Sequence, residues 1–207
     1  MLKAMPSRLN KELDAVRPKR GAPEQTRERL IAAAARLINR AGYHGTDSNR
    51  ISQEAGYSTG TFYKHFKDKR EIFLAAYERW VTTEWKAAGD EISAGGTPDE
   101  IARRLIASMV SFHTRWRGLR AALIELTFTD SEVKRFYRAQ RRRQLDLIKE
   151  IRVGIGARPS SREADAVLLY TFERTSDAIA HGELKDLGLS REAVVELLVE
   201  SVRAALA

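Results

Sequence analysis

Cysteine is absent from the 207 residues, so neither a disulfide framework nor a thiolate metal site can be built. Histidine is scarce: His44, His65, His113 and His181 are scattered, without the spacing of metal ligands. No apolar run approaches the ~20 residues needed to cross a bilayer. The N-terminus lacks the hydrophobic stretch of a secretory signal, so a cytoplasmic location is the expectation. There is no glycine-rich phosphate loop and no Ser/His/Asp grouping that falls on one site. An enzyme, or a protein carrying a cofactor or metal, is therefore not expected. Convincing strand patterns are missing as well, which leaves an all-α chain.

What is present begins with charge. The chain carries 36 Lys+Arg against 28 Asp+Glu, a net of +8. Residues 1–70 hold fifteen of the bases and seven of the acids, whereas residues 71–207 hold twenty-one of each. The whole excess sits on the first third. A basic module joined to a neutral one suits a polyanion-binding head on a separate body.

The stretch Thr46–Phe66 reads as two short helices around Gly56. Ile51 and Ala55 give the first a small apolar face, and the glycine can take φ > 0 to end it. Ser58 is a good N-cap for the second, which places Phe62 and Phe66 at i, i+4. Helix, glycine turn, helix is the helix-turn-helix plan, whose second helix enters the DNA major groove. On apolar pattern alone, two such helices also occur in all-α domains that never touch DNA. The spelling Ile51-Ser52-Gln53-Glu54-Ala55-Gly56-Tyr57-Ser58-Thr59-Gly60-Thr61-Phe62-Tyr63-Lys64-His65-Phe66, followed by Lys67-Asp68-Lys69-Arg70-Glu71, resembles the signature of the TetR family of transcriptional regulators. Ser48 departs from that signature, which usually has an apolar residue there.

The resemblance implies a three-helix DNA-binding head and a six-helix body that binds an effector and dimerises. The expected divisions are a basic arm at 1–24, a DNA-binding domain at 25–68 and a body at 69–207. Residues 1–24 can be read equally as an arm that reaches DNA or as a solubilising tail. The candidate DNA-binding residues are Thr46, Ser58, Thr59, Gly60, Thr61, Tyr63, Lys64, His65 and Lys69. Hydroxyls can donate to phosphate or base, a glycine lets backbone approach closely, and lysines neutralise phosphate. Thr46 also reads as the N-cap of the first of the two helices.

Before that pair, Leu30, Ala33, Ala34, Leu37, Ile38 and Ala41 form a helical stripe that stops at Gly42. After it, Asp68 and Glu71 open a helix running through Trp80 towards Lys86. Thr97-Pro98-Asp99-Glu100, Thr129–Glu132 and Ser160–Glu163 carry further start signals, and Gly182 and Gly188 mark a loop before a last helix at Ser190. The expected total is nine helices.

Four features of the body have more than one reading at this level. The last helix is apolar on two stripes, which implies burial on two sides. With the family resemblance, Val194, Leu197, Leu198 and Val202 are expected at a homodimer interface; a last helix packed deeply within a monomer is the alternative. Trp85, Phe112, Trp116, Phe128, Phe136, Tyr137, Tyr170 and Phe172 could line a pocket for a small lipophilic or aromatic effector, or simply fill the core. Glu173 could be a ligand anchor, half of a buried ion pair or part of a surface turn. Arg141-Arg142-Arg143 reads as a solvated face, with a basic mouth for an anion as the alternative, because consecutive residues fan around a helix. The functional expectation is a repressor that binds a near-palindromic operator as a dimer and is released by an effector. The alternative is an effector-independent, nucleoid-associated protein of the same fold.

Overall fold

The computed structural model describes residues 23–206, in which ten α-helices and no strand occur. Of the arm expected at 1–24, residues 1–22 lie outside the described residues, and Pro23 and Glu24 begin the first helix. Contacts divide the chain into two compact units that part between Ala76 and Tyr77.

The first unit is built from α1 (Pro23–Ala41), α2 (Ser48–Glu54), α3 (Thr59–His65) and the opening of α4 (Lys69–Ser93). Its core is the stripe predicted from spacing. Leu30, Ala33, Ala34, Leu37 and Ile38 are buried with Ile51, Phe62, Phe66, Ile72 and Phe73, while Ala41 at the end of the stripe is exposed. Burying each of the larger side chains contributes roughly 1.5–3 kcal/mol. α1 packs on α2 and α2 on α3, so the two short helices have partners that neither could supply alone. Asp68 accepts from the Glu71 backbone N–H at 2.7 Å, and Glu71 accepts from that of Lys67 at 2.7 Å, a reciprocal cap that starts α4.

The second unit comprises the rest of α4, α5 (Pro98–Arg115), α6 (Arg117–Thr129), α7 (Ser131–Gly154), α8 (Arg162–His181), α9 (Glu183–Asp186) and α10 (Arg191–Leu206). Its punctuation is largely as the sequence predicts. Thr97 and Glu100 form a capping box with Pro98 at the first turn. Asp130 caps α7, Ser161 caps α8, and Trp116 separates α5 from α6. The difference is α9: a single helical turn occupies the expected loop, entered through Gly182 at φ +79°. That raises the count from nine to ten among the described residues.

α10 and α8 both pack on α5, around Ala102, Ile106, Val110, Phe172, Leu198 and Val199. Leu198 is 5% exposed and Leu197 62%. This corrects one interface expectation: Leu198 belongs to the protomer's own core, and its neighbour Leu197 carries the outward face. The two residues are 100° apart on the helix, so they cannot serve the same surface.

Candidate functional site

α3 is held by partners on three sides. Gly56, at φ +78°, turns the chain back so that the Tyr57 N–H donates to Ser52 O at 2.8 Å, closing α2. Ser58 then caps α3 by accepting from the Thr61 N–H at 3.4 Å. Phe62, fully buried, anchors the inner face, and the ring of Tyr63 stands 57% exposed on the outer one. The Tyr63 hydroxyl is 3.1 Å from the Ser48 hydroxyl on α2. Thr59 donates to the Asn49 side-chain oxygen at 2.7 Å. Two hydroxyls on α3 are thus tied to two polar side chains of α2, which fixes the roll of one helix against the other.

Ser48 therefore has a local purpose that its departure from the family pattern concealed. An apolar residue there could not bond to Tyr63. The signal in the sequence was the exchange of an apolar position for a hydroxyl fifteen residues before a tyrosine, legible only once α2 and α3 are paired.

Of the candidate residues, Ser58, Gly60, Tyr63 and Lys64 are exposed, and Thr59, Thr61 and His65 are half-buried. A Cβ added at Gly60 would meet nothing closer than the Ser58 hydroxyl at 3.8 Å. Packing within the unit does not require glycine at that position.

Thr46 and Lys69 have other employment. Thr46 is buried and its hydroxyl donates to Gly42 O at 3.1 Å, at the end of α1. The N-cap of α2 is Asp47, which accepts from the Arg50 N–H at 2.9 Å. Lys69 donates its ammonium to Tyr43 O at 3.0 Å and Thr46 O at 2.9 Å, above the Tyr43 ring. Burial pushes the Lys69 pKa below its ordinary value, with Asp47 opposing the shift. Both residues tie the loop between α1 and α2 to the start of α4. Their chemistry is committed internally.

The sequence profile of the bacterial regulatory proteins of the TetR family matches residues 30–76. The regulator BetI of Vibrio vulnificus is 26% identical over 155 residues, covering 72% of this chain and 77% of BetI. Residues 30–76 are a TetR-family segment. YerO of Bacillus subtilis, an uncharacterised helix-turn-helix transcriptional regulator, is 31% identical over 86 residues, 41% of this chain and 30% of YerO. The chain thus spans less than a third of that relative's length. Among solved structures, a transcriptional regulator of Rhodococcus sp. RHA1 superposes with a TM-score of 0.68 at 23% identity, covering 87% of this chain and 95% of that one. FadR of Bacillus subtilis, solved in complex with stearoyl-CoA, gives 0.65 at 20% identity, covering 87% and 99%. At such identities the likeness is one of fold.

The aromatic residues expected at one pocket are distributed over several places. Trp85 and Phe172 line an apolar cavity of about 120 Å³ with Leu105, Met109, Ile151 and Leu168. Its charged wall residue is Arg152, which donates to Ala205 O at 2.6 Å and Arg158 O at 2.7 Å. Arg152 Nε makes no hydrogen bond and lies 3.9 Å from Asp165. Tyr137, Tyr170 and Phe128 line a different, open groove, and Phe128 is 84% exposed. Phe112 and Trp116 are half-buried and line neither space. Phe136 stacks edge-on against Tyr77. Aromatic content alone could not separate these surroundings, because the five helices concerned present different faces.

Glu173 is buried and bonded to two arginines. Arg120 donates to it at 3.1 Å, and Arg141 also donates to it from the other side. Arg120 reaches on to Asp177 at 2.6 Å, Asp177 to His113 Nδ1 at 3.1 Å, and His113 Nε2 to Glu84 at 3.3 Å. The ion-pair reading of Glu173 is the one observed. Arg141 is only 6% exposed, so the solvated-face expectation fails for it. Arg142 and Arg143 are exposed as expected, the latter paired with Glu78 at 2.9 Å.

Burial is the largest influence on His113 and pushes its pKa down, but the bonds to Asp177 and Glu84 outweigh it and hold the pKa above the ordinary value. Burial would likewise raise the pKa of Asp177; His113 and Arg120 hold it below the usual carboxylate range. These shifts follow from the same arrangement, in which every buried charge faces one of opposite sign. No metal-binding group of three or more His, Asp or Glu occurs among the described residues.

Proposed function

We propose that this protein is a ligand-responsive DNA-binding repressor of the TetR family that reads a near-palindromic operator as a homodimer. The observation that carries the reading is α3 itself. It is a short helix whose inner face is locked by Phe62, while its outer face offers Thr59, Gly60, Thr61, Tyr63 and Lys64 in a fixed roll. The first unit is the DNA-binding part, and the second binds the effector and the partner protomer. Thr59 and Tyr63 keep acceptor capacity after their bonds to α2, and Lys64 supplies a phosphate contact. Thr46 and Lys69 support this surface from behind instead of touching DNA.

Dimerisation through α8 and α10 is supported by exposed Val167 and Leu197, with Val194 half-buried on the Leu197 side; Val202, one turn on from Leu198, packs on the same core and lines the apolar cavity instead. The apolar cavity beside Trp85 and Phe172 is the effector site. A space of about 120 Å³ is near that known to accept a single aromatic ring, ~150 Å³. The effector is thus compact and lipophilic, with at most one polar group, directed at Arg152. The chain has no catalytic task in this reading.

The test is selection of bound DNA from a random duplex pool by the purified protein, across a range of salt. One enriched near-palindrome, bound by dimers and lost in Lys64→Ala, is the expected result. Enrichment of no sequence, with binding that vanishes at moderate salt, would overturn sequence-specific regulation in favour of a nucleoid-associated role.

A further inference from the structure

We propose that the open groove between α7 and α8 is a second binding site, built for the phosphates and ring of a nucleotide. It is distinct from the apolar cavity assigned to the effector, and it shares none of that cavity's wall residues. The groove encloses about 450 Å³, within the range of small-molecule sites. Its lining includes Lys134, Arg138, Arg141, Arg142 and Arg162 and not one carboxylate.

Pairing decides which of these charges are available. Arg162 is bonded to Asp146 at 2.7 Å, and Arg141 to Glu173. Lys134, Arg138 and Arg142 are exposed and have no carboxylate partner among the described residues. Their spacing, at i, i+4 and i+8, sets all three along one face of α7. Three adjacent like charges repel one another, whereas Arg103, held by Asp99 and Glu196, and Arg174, held by Glu183, have their charge matched. A ligand with two or three phosphate charges would supply the missing counter-charge, in the bidentate geometry that guanidinium favours.

The floor adds a second, independent observation. The Arg141 guanidinium lies over the Tyr137 ring at 4.6 Å and faces the Tyr170 ring at 5.7 Å. Its Nε is buried and makes no hydrogen bond, although Glu173 and Gln144 satisfy the other side of the same group. A donor left without a partner at the base of a basic groove is an anion contact in waiting. At the rim, Phe128 is 84% exposed and Tyr170 50%. Two large rings bare to solvent beside three unpaired cations match a planar heterocycle joined to phosphates, since stacking on an aromatic face accepts any base. Inorganic phosphate would use the cations and leave both rings uncovered.

The experiment titrates the full-length protein with ADP, adenosine and tripolyphosphate by calorimetry at low salt. ADP should bind saturably, once per protomer, and adenosine far more weakly. Arg138→Ala/Arg142→Ala should weaken ADP roughly tenfold or more, since both substitutions remove charge-assisted contacts from exposed positions that the fold does not need. Tyr170→Ala should weaken ADP and leave tripolyphosphate unchanged. In the same preparations, Lys64→Ala should bind ADP as the parent does, and Arg138→Ala/Arg142→Ala should bind duplex DNA as the parent does. No saturable ADP binding would overturn the proposal. So would ADP binding that survives the groove variant but fails in Lys64→Ala, which would put the anion on the DNA-binding unit. Loss of duplex binding in the groove variant would reassign the groove to DNA. A change of oligomeric state in Tyr170→Ala, with ADP binding intact, would reassign it to a second copy of the chain. None of these results depends on the operator or on the lipophilic effector, so failure here leaves the regulatory reading standing.

Discussion

Replacing Gly60 with alanine adds one methyl group at the second residue of α3, and the change is expected to have opposite signs for folding and for the proposed DNA binding. The nearest atom to the new Cβ is the Ser58 hydroxyl oxygen at 3.8 Å, an ordinary contact, so nothing has to move. Gly60 is not among the glycines with positive φ, so alanine meets no backbone strain there. Helix propensity and the reduced freedom of the unfolded chain then favour alanine by a few tenths to about 1 kcal/mol. For a chain of this size that corresponds to a rise in Tm of roughly 1–4 °C. If backbone at Gly60 approaches a phosphate, the same methyl holds it off, and a loss of operator affinity of about tenfold, ~1.4 kcal/mol, is expected. The assays are thermal unfolding by circular dichroism and equilibrium binding to the operator recovered from the duplex pool. A lower Tm would refute the packing argument, because some unseen neighbour would have to resist the methyl. Unchanged affinity would refute the close approach, and glycine at this position would need another explanation.

Ser48→Ala should leave the fold intact and weaken operator binding by freeing the Tyr63 hydroxyl, and the same loss in Tyr63→Phe, with no further loss in the double variant, would identify that bond as the cause; additive losses would reject it. Leu197→Glu should give folded monomers on sedimentation with stability within about 0.5 kcal/mol of the parent, whereas Leu198→Ala should remain dimeric and lose roughly 2–5 kcal/mol. Dimers persisting in Leu197→Glu would move the interface away from this face of α10. Glu173→Ala strands Arg141 as a buried cation and leaves Arg120 with Asp177 alone, and should cost about 3–5 kcal/mol in urea unfolding; a cost under 1 kcal/mol would mean that water reaches Arg141. The raised pKa of His113, which faces Asp177, Glu84 and Arg120, means that its contribution to stability is complete below its unfolded value of about 6.5 and is lost as pH rises through the raised one. The Tm of the parent should therefore fall across that window more steeply than that of His113→Gln, and parallel curves would refute the assignment.

Much of the first unit was legible in the residues because its signals are local. Caps, the glycine at 56 and the spacing of Leu30 to Ile38 act within a few residues of themselves, so α1, α2 and α3 follow from short-range chemistry. The candidate site was readable to the same extent: Ser58 to Lys64 occupy one short helix, and their exposure follows once Phe62 and Phe66 are seen to be the buried side. Thr46 misled as a cap because Thr and Asp are adjacent and both suit the role; the Gly42 carbonyl at the end of α1 claims the threonine and leaves the aspartate for α2.

In the second unit the residues determined where helices begin and end, and tertiary structure decided what each face meets. Arg141 is one of three consecutive arginines, and only the position of Glu173 on α8 distinguishes it from its neighbours by drawing it inward. Phe128 reads like a core or pocket aromatic, yet it is bare to solvent because α6 ends one residue later and no helix covers that face. Leu197 and Leu198 are the same residue type one position apart, and the packing of α10 on α5 sends them to opposite fates. The physical reason is common to all three. Helical periodicity specifies which residues share a stripe, but a stripe acquires an inside and an outside only when another helix arrives to bury it.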